Sequence, residues 1–131
     1  MAILDTDILV GYLRNKEKAI YFIKSLKNDN EELNTTVFNI AEVKKGCYLM
    51  KNVAKGLLKI EQLINSIGVI YDFDDKSINE YAKISSDLQK RGAMIGNMDE
   101  LISSICLANN ETLISRNIKH FEKVTNLTLQ G

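Results

Sequence analysis

The chain has 131 residues, of which 45% are hydrophobic and 26% charged, with 17 basic against 17 acidic side chains. That length supports a single domain, residues 1–131, with a real core and no need of staples. Zero net charge excludes a protein that grips nucleic acid over its whole surface, though not a local basic rim around an acidic centre. No run reaches the roughly 18–20 apolar residues of a membrane span, and no charged and apolar leader opens the sequence, so no membrane partner is expected and the expected compartment is the cytoplasm.

Residues 1–5 read as a short buried strand ending in Asp5, and Thr6 or Asp7 is placed to cap the helix that follows, Ile8 to Leu13. A second helix runs from Glu17 to Leu26, with Ala19, Ile20, Ile23 and Leu26 at helical spacing. Leu33 to Val37 is rich in β-branched residues and reads as a strand. Asn39-Ile40-Ala41-Glu42 fits a capping box at the start of the next helix, which carries Val43, Cys47 and Met50 on one side. Val53 to Ser66 is helical, with a stripe of Leu57, Ile60, Ile64 and Ile67. Gly68 to Phe73 is a strand, and residues 76–90 form an amphipathic helix with Ile78, Tyr81, Ile84, Ser85 and Leu88 inward. After a glycine-bounded loop, Asn97 caps the helix carrying Asp99; Thr112 to Ser115 is a strand, Ile118 to Lys123 a short helix, and Leu127 to Leu129 an edge strand. Strands alternating with helices predict an α/β fold. Specifically, they predict a three-layer α/β/α sandwich around a mainly parallel sheet of four or five strands.

In such a fold, sites gather where strands end and loops begin. Asp5 stands at the end of the first apolar run, and Glu42 and Asp99 occupy comparable junctions. Three acids brought together would repel one another unless a cation neutralised them, and hard divalent ions prefer oxygen ligands. Each acid also has a plainer reading. Asp5 could cap a helix, Glu42 could close the capping box on Asn39, and Asp99 could face the positive end of its own helix. Cys47 and Cys106 read as reduced core thiols, and nothing in the chain has the spacing of a zinc site. His120 stands alone and reads as a surface helix residue.

The motifs Leu4-Asp5-Thr6, Ile40-Ala41-Glu42-Val43 followed by Gly46, Ile95-Gly96 with Met98-Asp99-Glu100-Leu101-Ile102, and Leu113-Ile114-Ser115-Arg116-Asn117 with Phe121 occur in that order. Together they resemble the PIN-domain ribonucleases, in particular the VapC-type toxins of prokaryotic toxin–antitoxin pairs, over essentially the whole chain. The resemblance implies a Mg²⁺- or Mn²⁺-dependent endoribonuclease, usually a homodimer, held inactive by a cognate antitoxin. It carries the family's acidic set onto Asp5, Glu42 and Asp99, with the fourth acidic position falling on Asn117, a neutral oxygen ligand or a helix cap. It gives Ser115 the place of a small hydroxyl residue, and cleavage to 5′-phosphate and 3′-hydroxyl ends. Thr6 belongs to the first motif, and Arg116 and nearby lysines could draw in the RNA backbone. Helix surface around Tyr48, Leu49, Leu57 and Leu58 either meets a partner protein or fills the core. Two other readings compete: a catalytically degenerate binding module, with Asn117 as its symptom, and a haloacid-dehalogenase-like phosphatase built on Asp5-Thr6-Asp7. The phosphatase reading lacks the later acidic pair that chemistry needs.

Overall fold

The computed structural model describes residues 2–131. In chain order it comprises β1 (Ala2–Leu4), α1 (Thr6–Leu13), α2 (Glu17–Asn28), β2 (Leu33–Thr36), α3 (Val37–Tyr48), α4 (Val53–Ile64), β3 (Ile70–Tyr71), α5 (Asp75–Lys90), α6 (Asn97–Ala108), β4 (Thr112–Ile114), α7 (Ile118–Phe121) and β5 (Leu129–Gln130). The five strands form one sheet in the order β3-β2-β1-β4-β5, and every pairing is parallel. Parallel strands buried on both faces need apolar residues at every position. The central strand meets this need, because Ala2, Ile3 and Leu4 are all buried.

Alternation along the strands divides the core in two. Ala2, Leu4 and Ile114 face a layer containing Ile8, Leu9, Ile23, Val43, Cys47, Ile60 and Leu63, supplied by α1 to α4. Ile3 and Leu113 face the opposite layer, with Ile84, Leu88, Ile102, Ile105 and Phe121 from α5 to α7. This is the expected three-layer sandwich. Both cysteines are free and buried. Among the described residues, no helix is long and apolar enough to cross a membrane.

Three helix starts differ from the sequence reading in ways that bear on the site. First, α1 begins at Thr6, with Asp5 at the cap position but making no side-chain cap bond; the N–H groups of Ile8 and Leu9 bond to the Asp5 backbone oxygen instead. Neither Thr6 nor Asp7 is the cap. Second, α3 follows β2 without a loop, and its cap is Thr36, whose Oγ1 accepts the Asn39 N–H at 3.2 Å. The Asn39–Glu42 capping box therefore does not form. Third, α6 starts one residue early, behind Gly96, so Asp99 is its third residue rather than its second. At α5, Asp74 caps by accepting from the N–H and Oγ of Ser77. Ser77 takes the inward position and Ile78 is turned to solvent, contrary to the expected inward stripe.

Gly96 has φ 98° and ψ 148°, a conformation that glycine alone adopts without strain, and an added Cβ would meet no neighbour. Gly96→Ala is therefore expected to lower stability by about 1–3 kcal/mol through backbone strain alone. Urea unfolding of the variant would check this; an unchanged midpoint would mean that the loop relaxes freely.

Candidate active site

Because all strands run the same way, their C-terminal ends share one edge. The register pairs Leu4 with Ile114, which sets Asp5 beside Ser115, and the Asp5 N–H bonds to the Ile114 oxygen at 2.9 Å. Thr35 of β2 donates its hydroxyl to the Leu4 oxygen at 3.1 Å and holds the other flank.

The Asp5 side chain is only 6% exposed. Oδ2 accepts from Ser115 Oγ at 2.8 Å, and Oδ1 accepts from Asn39 Nδ2 at 3.2 Å. Asn39 is itself gripped, since its Oδ1 accepts from Thr36 Oγ1 at 2.7 Å. Its amide donates also to Thr6 Oγ1 at 3.0 Å, and Thr6 passes its own proton to Glu42 Oε1 at 2.6 Å. A continuous hydrogen-bonded path thus joins Asp5 to Glu42 through Asn39 and Thr6. Thr6, Ala41, Glu42, Lys45 and Met98 line a cleft of about 350 Å³.

Asp7 lies on the β4 side of the site. Its Oδ2 accepts the Arg116 N–H at 2.9 Å and lies 3.4 Å from Ser115 Oγ. Ser115 has a single proton, and the shorter bond to Asp5 takes it. Asp7 Oδ1 is buried with no hydrogen-bond partner. Asp99, from the first turn of α6, meets His120 of α7, with Nε2 to Oδ2 at 2.8 Å.

These acids feel one another. Burial pushes the Asp5 carboxyl up to about 6; the Ser115 hydrogen bond opposes the rise, while the charges of Asp7 and Asp99 add to it. Burial also raises Asp99, against the pull of His120, and Asp7 adds to that rise. Crowded, partly desolvated carboxylates together with an unpartnered buried oxygen fit a hard, oxygen-preferring cation. Among the described residues, however, no three His, Cys, Asp or Glu side chains already form a cage. Glu42 lines the cleft, and Asp5 connects to it through Asn39 and Thr6.

Of the residues singled out from sequence, Asp5, Thr6, Glu42 and Ser115 join one network, and Asp99 stands within electrostatic reach of Asp5. Arg116 contributes its backbone N–H and leaves its side chain exposed. Asn117 heads α7, exposed, with its N–H on Ser115 Oγ at 3.0 Å; among the described residues its amide makes no hydrogen bond to any of the acids. Three contributors were assigned elsewhere from sequence: Asp7 and Asn39 as caps, and His120 as a surface residue. For Asn39 a signal existed. Asn39, Val43 and Cys47 share one helical stripe and all are fully buried, so a polar side chain there requires a buried partner.

The PIN domain model matches residues 2–127. Ribonuclease VapC1 of Haemophilus influenzae is 32% identical over 127 residues, covering 97% of this chain and 94% of that protein. Among solved structures, VapBC2 from Rickettsia felis bound to a DNA fragment from their promoter superposes with a TM-score of 0.89 at 28% identity, covering 98% of this chain and 96% of that one. VapBC-1 from nontypeable Haemophilus influenzae superposes at 0.85 with 31% identity over the same shares of the two chains. With the family model matching residues 2–127 and a relative 32% identical over nearly the full length of both chains, the chain belongs to the PIN-domain family.

Proposed function

We propose that this protein is a divalent-metal-dependent endoribonuclease, the toxin of a two-component toxin–antitoxin pair, which hydrolyses RNA phosphodiester bonds and works as a homodimer. The observation that carries the reading is the buried Asp5 carboxylate. It is fixed from both sides by Asn39 and Ser115 and raised in pKa in part by the charges of Asp7 and Asp99, at the edge where the strands end. The likeness to proteins named ribonuclease, and to toxin–antitoxin complexes, supplies the substrate and the partner.

Asp5, Glu42 and Asp99 would hold Mg²⁺ or Mn²⁺, with Asp7 offering its unpartnered oxygen beside them. When bound, the ion supplies a water of lowered pKa and a positive charge against the scissile phosphate and its leaving oxygen. The protein's own residues do the rest. Asn39 and Ser115 lock the Asp5 carboxylate and spare it the cost of reorganising. Thr6 ties Glu42 to the same frame. Lys45 beside the cleft and the exposed Arg116 next to Asp7 offer cationic side chains to an RNA backbone without reading its bases. Tyr48, Leu49 and Leu58, between 63% and 79% exposed, give an antitoxin an apolar surface, whereas Leu57 packs against the core.

Expression of the chain alone is expected to slow growth, and co-expression of its antitoxin to restore it. The purified chain should degrade RNA with Mg²⁺ or Mn²⁺ and stop in excess EDTA. Unimpaired growth with abundant soluble protein would count against a toxin.

A further inference from the structure

We propose that His120 is the positioning residue for Asp99, and that it takes the part which sequence position alone would give to Asn117. The inference rests on the metal-dependent nuclease reading and concerns the fourth group of that site. Asn117 is exposed, and among the described residues its amide reaches none of the acids. One turn further on, His120 does reach one: its Nε2 lies 2.8 Å from Asp99 Oδ2, with the two side chains only 28% and 30% exposed.

The ring is not a loose surface group. It stands edge-on to Phe121, with centroids 5.6 Å apart and planes at 85°, and Phe121 is 1% exposed in the core. The N–H groups of His120 and Phe121 both bond to the Asn117 oxygen and close this turn, and the Asn117 N–H on Ser115 Oγ ties it to the residue that follows β4. Packing and backbone together aim the imidazole at α6.

The chemistry of the contact fits positioning rather than ligation. A carboxylate in isolation turns freely and offers either oxygen. An N–H on Oδ2 fixes its plane and leaves Oδ1 for a cation, and carboxylates that bind metals gain affinity from such outer hydrogen bonds. Nε2, the ring nitrogen that faces Asp99, is taken up by this contact and has no lone pair left for the ion that Asp99 would hold. His120 therefore acts on the metal through Asp99.

Calorimetric titration with Mn²⁺ tests this, with melting curves of the metal-free proteins alongside. His120→Ala is expected to bind Mn²⁺ about 10- to 100-fold more weakly than wild type. His120→Gln retains an N–H donor and should recover most of the loss, and Asn117→Ala should bind as wild type does. His120→Phe keeps the packing on Phe121, removes the donor and should match alanine, which covers the case in which alanine unfolds. Pulsed electron paramagnetic resonance of the wild-type Mn²⁺ complex should show no directly bonded nitrogen. Undiminished affinity in both His120→Ala and His120→Phe overturns the inference. So does a loss that glutamine fails to restore, or a strong nitrogen coupling that puts the ring on the metal. A wild-type chain that binds no Mn²⁺ at all overturns the metal-nuclease reading itself, and this inference with it.

Discussion

Replacing Asp5 or Asp99 by alanine is expected to reduce metal-dependent RNA cleavage by roughly a hundredfold or more while leaving the fold intact, since on the proposed reading each loss would remove charge that holds an ion worth several kcal/mol to the transition state. Asp5 is the stronger case, because Ser115, Asn39 and two neighbouring carboxylates all converge on it. Asp99 has fewer contacts but sends its charge to the same place. Glu42→Ala is now easier to interpret than the sequence allowed. Because α3 is capped by Thr36, removing Glu42 costs no helix cap. It removes only the Thr6 hydrogen bond, worth about 1 kcal/mol. A fall in its cleavage rate can therefore be assigned to the site. Rates on a labelled RNA, with urea unfolding as the control, would show this. An Asp5 or Asp99 variant cleaving at the wild-type rate would remove that residue from the site.

The metal-free protein is expected to lose stability as pH rises through the range in which Asp5 ionises. In the fold its carboxyl lies at about 6, against the ordinary 3.8. Between those values the folded chain keeps a proton that the unfolded chain has released. The contribution of Asp5 to stability is therefore greatest below about pH 4 and declines up to just above pH 6. The gap corresponds to roughly 3 kcal/mol for this group. Asp5→Asn has no charge to desolvate, so its curve should be flatter there. Near pH 7.5 the variant should be no less stable than wild type, even though it accepts less strongly from Ser115. Mn²⁺ should raise the wild-type Tm by mass action, and more at pH 7.5 than at pH 5.5, because protons and metal compete for the same oxygens. Most of that rise should vanish in Asp5→Asn. Thermal melts of the two proteins across pH, with and without millimolar Mn²⁺, separate the effects; parallel curves would mean that Asp5 carries no buried charge.

The fold was legible because its signal is periodic. Short apolar strands between amphipathic helices leave little choice but a parallel sheet covered on both faces, and β1 with its alternating neighbours Ile3 and Leu4 bears this out. Element starts were less legible. Thr35-Thr36-Val37 continues a β-branched run, so the strand seemed to extend one residue too far and Asn39 seemed the better cap. Asp5 stood out because strand ends are few, and Glu42 and Asp99 because each lies near a helix start. Their partners were harder to find: Asp99 and His120 lie on different helices, and nothing local in either segment announces that packing brings them to 2.8 Å. Asp7 was hidden by its own plausibility as a cap, since residues two apart on a regular helix do not share a face. Asp5 sits in extended backbone at φ −72° and ψ 163°, outside that rule, and so its carboxylate and that of Asp7 both reach Ser115.

The central claim, that a carboxylate-held metal drives hydrolysis of RNA, is tested most directly by the ends of the cleaved strands. A defined RNA incubated with the purified chain and Mg²⁺ or Mn²⁺ should yield 5′-phosphate and 3′-hydroxyl ends, because attack by a metal-activated water expels the 3′-oxygen. The same reaction in EDTA should yield no product. Cleavage that persists in EDTA and leaves 2′,3′-cyclic phosphates would mean attack by the RNA's own 2′-hydroxyl, and would contradict the account.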